Sequence, residues 1–362
     1  MSLTKALINS NEVRSDGLTS IARHGSRQAS GSYTAELSNG SFDMLMEAVM
    51  RSTWVAATAI TQATMTSITT TTTTIVAAAG SWITQGVRVG DVVRLTGFAT
   101  TANNNINLRV KAVTASTITV HGTAPLVLDA SPDASFTLTI LKKLKNATTP
   151  TKRTFYIDEY NQDIDLSEVY GGCRFISMKI SGTPDGMAMV EFGVLGASGT
   201  PLAMGSSPYY IAPTQFTSIP LVFADATISY NGSDIANATA FELTYVIAAA
   251  TQPIIGSSVT PDVFDNNASL TGSISIVRQD LAALTALSAE TEMQLHVLLV
   301  EPEAEPKDCI SFYVPRLKLT AVSGSIGGDG ALVDQLPWTA GVPDTTVTAT
   351  DASLLTICTS AA

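Results

Sequence analysis

The stretch Arg174-Phe-Ile-Ser-Met-Lys-Ile-Ser-Gly182 decides how this chain is read, because it has a second copy. Laid without a gap over Arg316-Leu-Lys-Leu-Thr-Ala-Val-Ser-Gly324, it pairs Arg with Arg, Ser181 with Ser323 and Gly182 with Gly324, an offset of 142 (316 minus 174). The register continues through Gly186 and Gly328, Val190 and Leu332, and Val194 and Leu336. In the first copy, Arg174 to Ser181 and Met187 to Leu195 alternate in polarity across the turn Gly182-Thr-Pro-Asp-Gly186. That pattern predicts a hairpin. Ahead of each copy the order is also similar: Gly31-Ser-Tyr33 then a helical pattern, and Gly272-Ser-Ile274 then another. Two copies of one strand-helix-strand-hairpin unit account for this.

Working outward, Phe42, Leu45, Met46, Val49 and Met50 fall three and four apart, which predicts a helix of about ten residues ending near Ser52. Ser41 is its expected cap and Asp43 lies in its first turn. Asp280 is expected to cap the second helix, which carries Leu281, Leu284 and Leu287. Phe241, Leu243, Tyr245 and Ile247, and later Leu295, Val297 and Leu299, alternate with other residues, so strands with one buried and one wet face are expected. His296 is read there as an exposed or interface position. From Thr64 the texture changes to a Thr run (Thr69 to Thr74) and short β-branched segments at Val87 to Leu95, Asn107 to Val113, Thr117 to Val120 and Ser135 to Ile140. These predict a compact inserted barrel or sandwich. Lys142, Lys143 and Lys145 at its exit are read as a solvated linker.

The expected fold class is mainly β, with two tandem β-barrel or sandwich units, each with one short helix, plus the inserted all-β module. Its division is an extended assembly arm over 1–30, unit one over 31–63 and 144–198, the insert over 64–143, a linker over 199–220, unit two over 221–340 and a tail over 341–362. The arm is polar, holds Gly17, Gly25 and Gly31, and shows little periodicity, so its order is expected to come from assembly.

Composition narrows the function. Of 362 residues only 14% are charged, and 20 Lys and Arg stand against 31 Asp and Glu, a net charge of −11. With a pI near 4.7, affinity for nucleic-acid backbone built on counterion release is not expected. Mean hydropathy is +0.24, but no apolar run reaches the roughly eighteen residues of a spanning helix, so no membrane insertion is expected. Cys173, Cys309 and Cys358 follow no disulfide or zinc spacing, and the N-terminus lacks a signal-peptide core. Assembly in a cytoplasm is expected, which makes the sequons at Asn39, Asn146, Asn231, Asn237 and Asn267 incidental.

The remaining motifs carry no catalytic or phosphate-binding pattern. Only His24, His121 and His296 exist, no Gly-x-Ser-x-Gly elbow occurs, and Gly324 to Gly330 lacks the Lys-Ser/Thr of a phosphate loop. Asp158, Glu159, Asp163 and Asp165 form an acidic cluster without a cation-loop pattern, read as a solvated or interface edge. No enzyme, metal or cofactor is expected.

Several motifs resemble the major tail tube proteins of long-tailed bacteriophages. They are Asn11-Glu12-x-Arg14-Ser15-Asp16 and Gly31-x-Tyr33-x-x-Glu36-Leu37-Ser38-x-Gly40-x-Phe42-Asp43-x-Leu45-x-Glu47-Ala48 near the N-terminus. The middle part adds Phe155-x-Ile157-x-Glu159-x-x-x-Asp163-Ile164, Gly171-Gly172-Cys173-Arg174 and Phe192-Gly193-x-Leu195-Gly196. The last are Thr271-Gly272-Ser273-Ile274 and Ile310-x-Phe312-x-Val314-Pro315-x-Leu317. One departure is Gly17, where the family pattern has Arg after Asp16. The resemblance implies a subunit of a virion tail that closes into rings stacked as a hollow DNA conduit, with tape-measure, tail terminator and distal tail proteins as further partners. DNA would be a transient, non-specific cargo.

Two sets of residues carry that expectation. Asn11, Glu12, Arg14, Asp16, Gly25 and Gly31 are the expected inter-ring arm, and Lys179, Glu191, Lys318 and Asp334 on the hairpins the expected lumen lining. If each chain holds two units, three chains imitate a sixfold ring; the alternative is a ring of six chains with the second half packed outside as a separate domain. The alternative function is a host-binding adhesin or a capsid or tail decoration protein, with the 64–143 module as its binding part.

Overall fold

The computed structural model describes residues 1–202, 209, 218–302, 306–326, 330–344 and 349–361. Most of the expected linker, and Gly328 of the repeat, lie outside them. The chain opens with β1 (Ser2–Ile8) and β2 (Arg23–Glu36), followed by α1 (Asp43–Met50). Next come β3 (Thr58–Thr61), α2 (Gln62–Met65), β4 (Ile68–Thr70), β5 (Thr74–Ala77) and β6 (Val92–Thr96). They are followed by β7 (Leu108–Val113), β8 (Thr117–Val120), β9 (Asp129–Asp133) and β10 (Thr137–Ile140). Strands β11 (Lys142–Lys145), β12 (Phe155–Asn161), β13 (Leu166–Gly182), β14 (Met189–Gly196) and β15 (Ser198–Leu202) complete the first half. The second half holds β16 (Thr227–Tyr230), β17 (Ser233–Ile235), β18 (Ala238–Thr251), β19 (Val263–Val277) and α3 (Ala282–Ser288). It ends with β20 (Met293–Val300), β21 (Cys309–Leu319), β22 (Ser323–Ile326), β23 (Leu332–Ala340) and β24 (Thr356–Thr359).

The chain is mainly β, as its alternating patterns predict, and the strands form two sheets of sixteen and eight. The smaller runs β3-β10-β6-β7-β8-β5-β4-β9 around a core of its own with Trp82, Phe98 and Phe136. The Thr run supplies two of its strands and the turn between them, where the Thr71 and Thr74 hydroxyls lie 2.7 Å apart. The larger sheet runs β1-β2-β14-β13-β18-β19-β23-β21-β20-β16-β17. Neither sheet closes into a barrel.

Within the larger sheet the same strand order occurs twice. Strand β12 pairs with β13 and β20 with β21, so β1-β2-β14-β13-β12 in the first half matches β18-β19-β23-β21-β20 in the second. The halves join where β13 pairs with β18. Helix α1 follows β2 just as α3 follows β19. Backbone pairing sets the offset between the hairpins at 144 rather than 142: Gly31 pairs with Val194, Gly272 with Trp338, and Val194 with Phe175 as Trp338 does with Leu319. A slip of two residues keeps every side chain on its face, which is why the sequence overlay found the right strands in a neighbouring register.

Several expectations change. The N-terminal stretch folds back on its own chain: β1 pairs with β2, and the boundary drawn at residue 30 falls inside β2. Ser41 does not cap α1. Its hydroxyl lies 2.5 Å from that of Ser38, and Phe42 holds the cap position. Asp280 Oδ1 accepts from the Ala282 backbone N–H at 2.8 Å, one residue outside the cap position held by Leu281. The lysines are no linker. Lys142–Lys145 is a strand paired with β24, itself cut from the expected tail and fully buried. Lys143 Nζ sits 3.0 Å from Asp91 and 3.2 Å from Asp351, Lys145 reaches Asp351 at 2.5 Å, and Lys142 reaches Asp43 at 2.9 Å.

Strand β20 has no wet face. Leu295, Val297 and Leu299 enter the main core, while Leu298 packs with Val92, Leu141, Cys309 and Cys358. Burial on both sides follows from the smaller sheet covering the second face, and His296, expected at an exposed or interface position, is 1% exposed.

Candidate functional site

Alternation along the long strands separates two faces, and the pairing register aligns them into transverse rows. One row runs Ala35, Val190, Ile180, Leu243, Gly272, Trp338 and Leu319. Its members face the core. Gly272 is required there by close approach: a Cβ at this position would lie 2.3 Å from the Trp338 ring and 2.3 Å from the Glu242 carbonyl oxygen. Gly31, its counterpart, lies under Met1, where an added Cβ would come within 2.9 Å of the Sδ.

The adjacent row faces solvent and runs Thr34, Glu191, Lys179, Thr244, Thr271, Thr339 and Lys318. It crosses seven strands and both halves. Glu36, Glu242 and Ser273 continue the same face one row on. Hydroxyls dominate it, and its charges are compensated locally: Lys179 Nζ lies 3.0 Å from Glu242. Counting these residues, three carboxylates stand against two ammonium groups, Lys179 and Lys318. The arrangement can present a wet, weakly acidic wall, with no cluster of cations to hold phosphate.

Three of the four residues expected to line a lumen, Lys179, Glu191 and Lys318, thus share one row. Asp334 does not: it lies on the core face in register with Ile276, is 3% exposed, and accepts two hydrogen bonds from Arg278 at 2.6 and 2.7 Å. The overlay could not separate these cases, because polarity alone does not tell a solvated carboxylate from one paired across strands.

The expected arm residues occupy the β1–β2 hairpin. Asn11, Glu12, Arg14 and Asp16 lie in its exposed loop, where Arg14 and Asp16 pair at 2.6 Å and Glu12 accepts from Ser20 at 2.8 Å. Gly17 turns the loop with φ +68°, a conformation that resists the Arg of the family pattern. Gly25 and Gly31 are in β2. Apolar side chains gather near this end. Leu7, Ile8, Val13, Leu18 and Ile21 are exposed, as are Ile254 and Ile255 between β18 and β19. The two hairpins touch through a hydrogen bond from the Arg27 N–H to the Ser258 carbonyl at 2.9 Å.

The run β1-β2-β14-β13-β18-β19-β23-β22, eight strands, has both outer edges open among the described residues. Strand β1 pairs only with β2, and β22 only with β23. All seven residues of β1 are exposed.

The acidic cluster is largely committed internally. Glu159 accepts from the Tyr33 hydroxyl at 2.6 Å, which together with burial pushes that phenol above its usual range, and Asp165 accepts from Tyr160 at 2.8 Å. No group of three or more His, Cys, Asp or Glu that could hold a metal occurs among the described residues.

Two polar clusters escaped the sequence reading. The first is the Lys143–Asp91–Asp351 group, in which full burial raises Asp91 while Lys143 and Lys145 outweigh burial and lower Asp351. The second joins the smaller sheet to the larger. Arg109 Nη2 meets Asp234 at 2.8 Å, Ser229 Oγ donates to Asp234 at 2.7 Å and lies 2.8 Å from His121 Nδ1, and the His121 ring stands 6.0 Å from that of His296. Burial, then Arg109, pushes His121 down to about 4. Neither ring nitrogen of His296 has a hydrogen-bond partner.

A family model described as phage tail tube protein matches residues 1–340. No curated protein matches the chain. The chain therefore belongs to the phage tail tube protein family, whose members are structural components of the virion tail. Among the described residues no helix is long and apolar enough to cross a membrane.

Proposed function

Starting from that membership, we propose that three chains close into a pseudo-sixfold ring and that rings stack into the hollow conduit through which DNA leaves the capsid. The observation that carries this reading is the doubled strand order in one continuous sheet, β1-β2-β14-β13 and β18-β19-β23-β21, with a shared polar row. Each chain brings eight strands to that run, so three bring twenty-four. At about 4.8 Å per strand the backbone circle is roughly 37 Å across, and strand tilt widens it. The hydroxyl-rich row with Lys179, Glu191 and Lys318 faces the bore, where phosphates that do not stick can slide.

In this reading unit one spans 31–63 and 144–198, and unit two 221–340. The 64–143 module stands outward as decoration or lateral contact. The exposed loop with Asn11, Glu12, Arg14 and Asp16 reaches the next ring, and Gly25 and Gly31 keep its supporting strand thin. Tape-measure, terminator and distal tail proteins complete the tail, which is assembled in the host cytoplasm. The test is mass per ring: at 37.8 kDa per chain, three chains weigh about 113 kDa and six about 227 kDa, the closed symmetries at issue. Six identical chains around the axis would remove the three-chain reading.

A further inference from the structure

Resting on the ring reading, we propose that the seam between neighbouring chains repeats the β13–β18 seam inside each chain, with β1 of one copy pairing antiparallel to residues 319–324 of the next. The internal seam is a template whose two sides each have a counterpart with an open edge. Strand β18 corresponds to β1, since both are the hairpin partners of the corresponding strands β19 and β2. Residues following Leu319 correspond to the C-terminal half of β13, since both are the outer partners of the corresponding strands β23 and β14. Inside the chain that half of β13 is covered by β18. Among the described residues no strand pairs with the equivalent edge in the second half or with the outer edge of β1.

The register follows from the pairings. Gly272 pairs with Leu243, while Gly31 sits against Met1, so Leu243 corresponds to Met1 and Val246 to Thr4. Phe175 corresponds to Leu319 and Ile180 to Gly324, so Ser177 corresponds to Ala321. Because Ser177 pairs with Val246 and Met178 with Tyr245, Ala321 pairs across the seam with Thr4, and Val322 with Leu3. Parity is consistent. Met178 and Tyr245 are fully buried in the internal seam, and their counterparts Val322 and Leu3 are incompletely covered, Leu3 being 38% exposed. Joining the edges covers this apolar pair and leaves Thr4 and Ala321 on the polar face. It also satisfies the edge N–H and C=O groups that would otherwise recruit strands without control.

A disulfide reads this register directly. Directly opposed antiparallel residues have Cα atoms about 4.5–5.5 Å apart, within disulfide reach. Within one chain, six strands separate β1 from this edge, about 34 Å at sheet spacing, so only neighbours can be linked. The native cysteines are all buried. The double variant Thr4→Cys/Ala321→Cys, oxidised after assembly, is expected to give covalent dimers and trimers of about 76 and 113 kDa (two and three times 37.8 kDa) on a non-reducing gel. The displaced pair Thr4→Cys/Lys318→Cys, three residues out of register and roughly 10 Å apart along the strand, is the control and should link at least tenfold less. Rings of three that link no better than the control overturn the seam and leave the ring reading intact. A chain that stays monomeric, wild type and variant alike, overturns both. The single Ser2→Pro variant is a second route: it should stay folded by circular dichroism and lose rings, and folded protein that still forms rings counts against the seam.

Discussion

Replacing Lys143 with Met keeps the length of the side chain and removes the one cation that Asp91 contacts. Asp91 is 0% exposed, with Lys143 Nζ 3.0 and 3.1 Å from its two oxygens. After the change it keeps only the Arg88 backbone N–H at 2.8 Å, whereas Asp351 keeps Lys145. Removing one partner of a buried ion pair costs about 3–5 kcal/mol because the other charge is left uncompensated. Unfolding entropy of about 2.1 cal/mol/K per residue gives roughly 760 cal/mol/K for the chain, so the expected fall in Tm is about 4–7 °C. Urea denaturation and calorimetry of the unassembled subunit measure both.

The pH dependence adds a signature. An Asp whose pKa is raised on folding contributes stability at low pH that is lost as pH rises, so the variant should gain stability on going from pH 7 toward 5. The wild type already has Asp91 raised by burial, which acts in the same sense, offset by Asp351, which is lowered and contributes stability that is lost as pH falls, so the variant's gain should be the larger. Asp91→Asn added to Lys143→Met should recover about 1–2 kcal/mol, the scale of relieving a buried unpaired charge. A loss below about 1 kcal/mol with no rescue would refute the assignment of this group as the joint between insert, sheet and C-terminal strand.

Further outcomes are expected. His296→Leu should stabilise the subunit by about 1–2 kcal/mol in chemical denaturation, since it removes a buried imidazole with no partner. His121, lowered by burial to about 4, contributes stability present above about 6.5 and lost as pH falls toward 4, on the order of 2–3 kcal/mol. His121→Phe should flatten that slope. Gly272→Ala, with its Cβ 2.3 Å from the Trp338 ring and from a backbone oxygen, should lose about 1–3 kcal/mol, and Gly31→Ala less, since its Cβ would meet the Met1 Sδ at 2.9 Å and the Met1 Cα at 3.0 Å. Replacing Asn9 to Ala22 by a two-residue turn should leave rings and stop stacking by electron microscopy, and excising the insert should leave rings that still stack.

The alternation in Phe241 to Ile247 and in Arg174 to Ser181 was enough to find β18 and β13, because each has one face on the core and one in water. The same signal failed for β20, whose polar-side residue His296 is covered by a second sheet that no local pattern announces. The repeat was legible through Arg, Ser and Gly at equal spacing, but the two-residue slip was not, since only backbone pairing measures it. Lys142, Lys143 and Lys145 look like a solvated run in sequence. Their partners, Asp43, Asp91 and Asp351, lie 99, 52 and up to 208 residues away. Of the polar row, Lys179, Glu191 and Lys318 were found from the hairpins, whereas the threonines between them carry no signal in a chain this rich in threonine.

The covalent joint between β13 and β18 also changes how assembly depends on concentration. Six separate units closing a ring would need every contact to form by encounter. When alternate contacts are already made within a chain, the second unit of each pair is held at an effective concentration that dilution does not lower. In the proposed three-chain ring, formation would depend on the third power of subunit concentration instead of the sixth, and a tube would begin to grow when far less protein had been made.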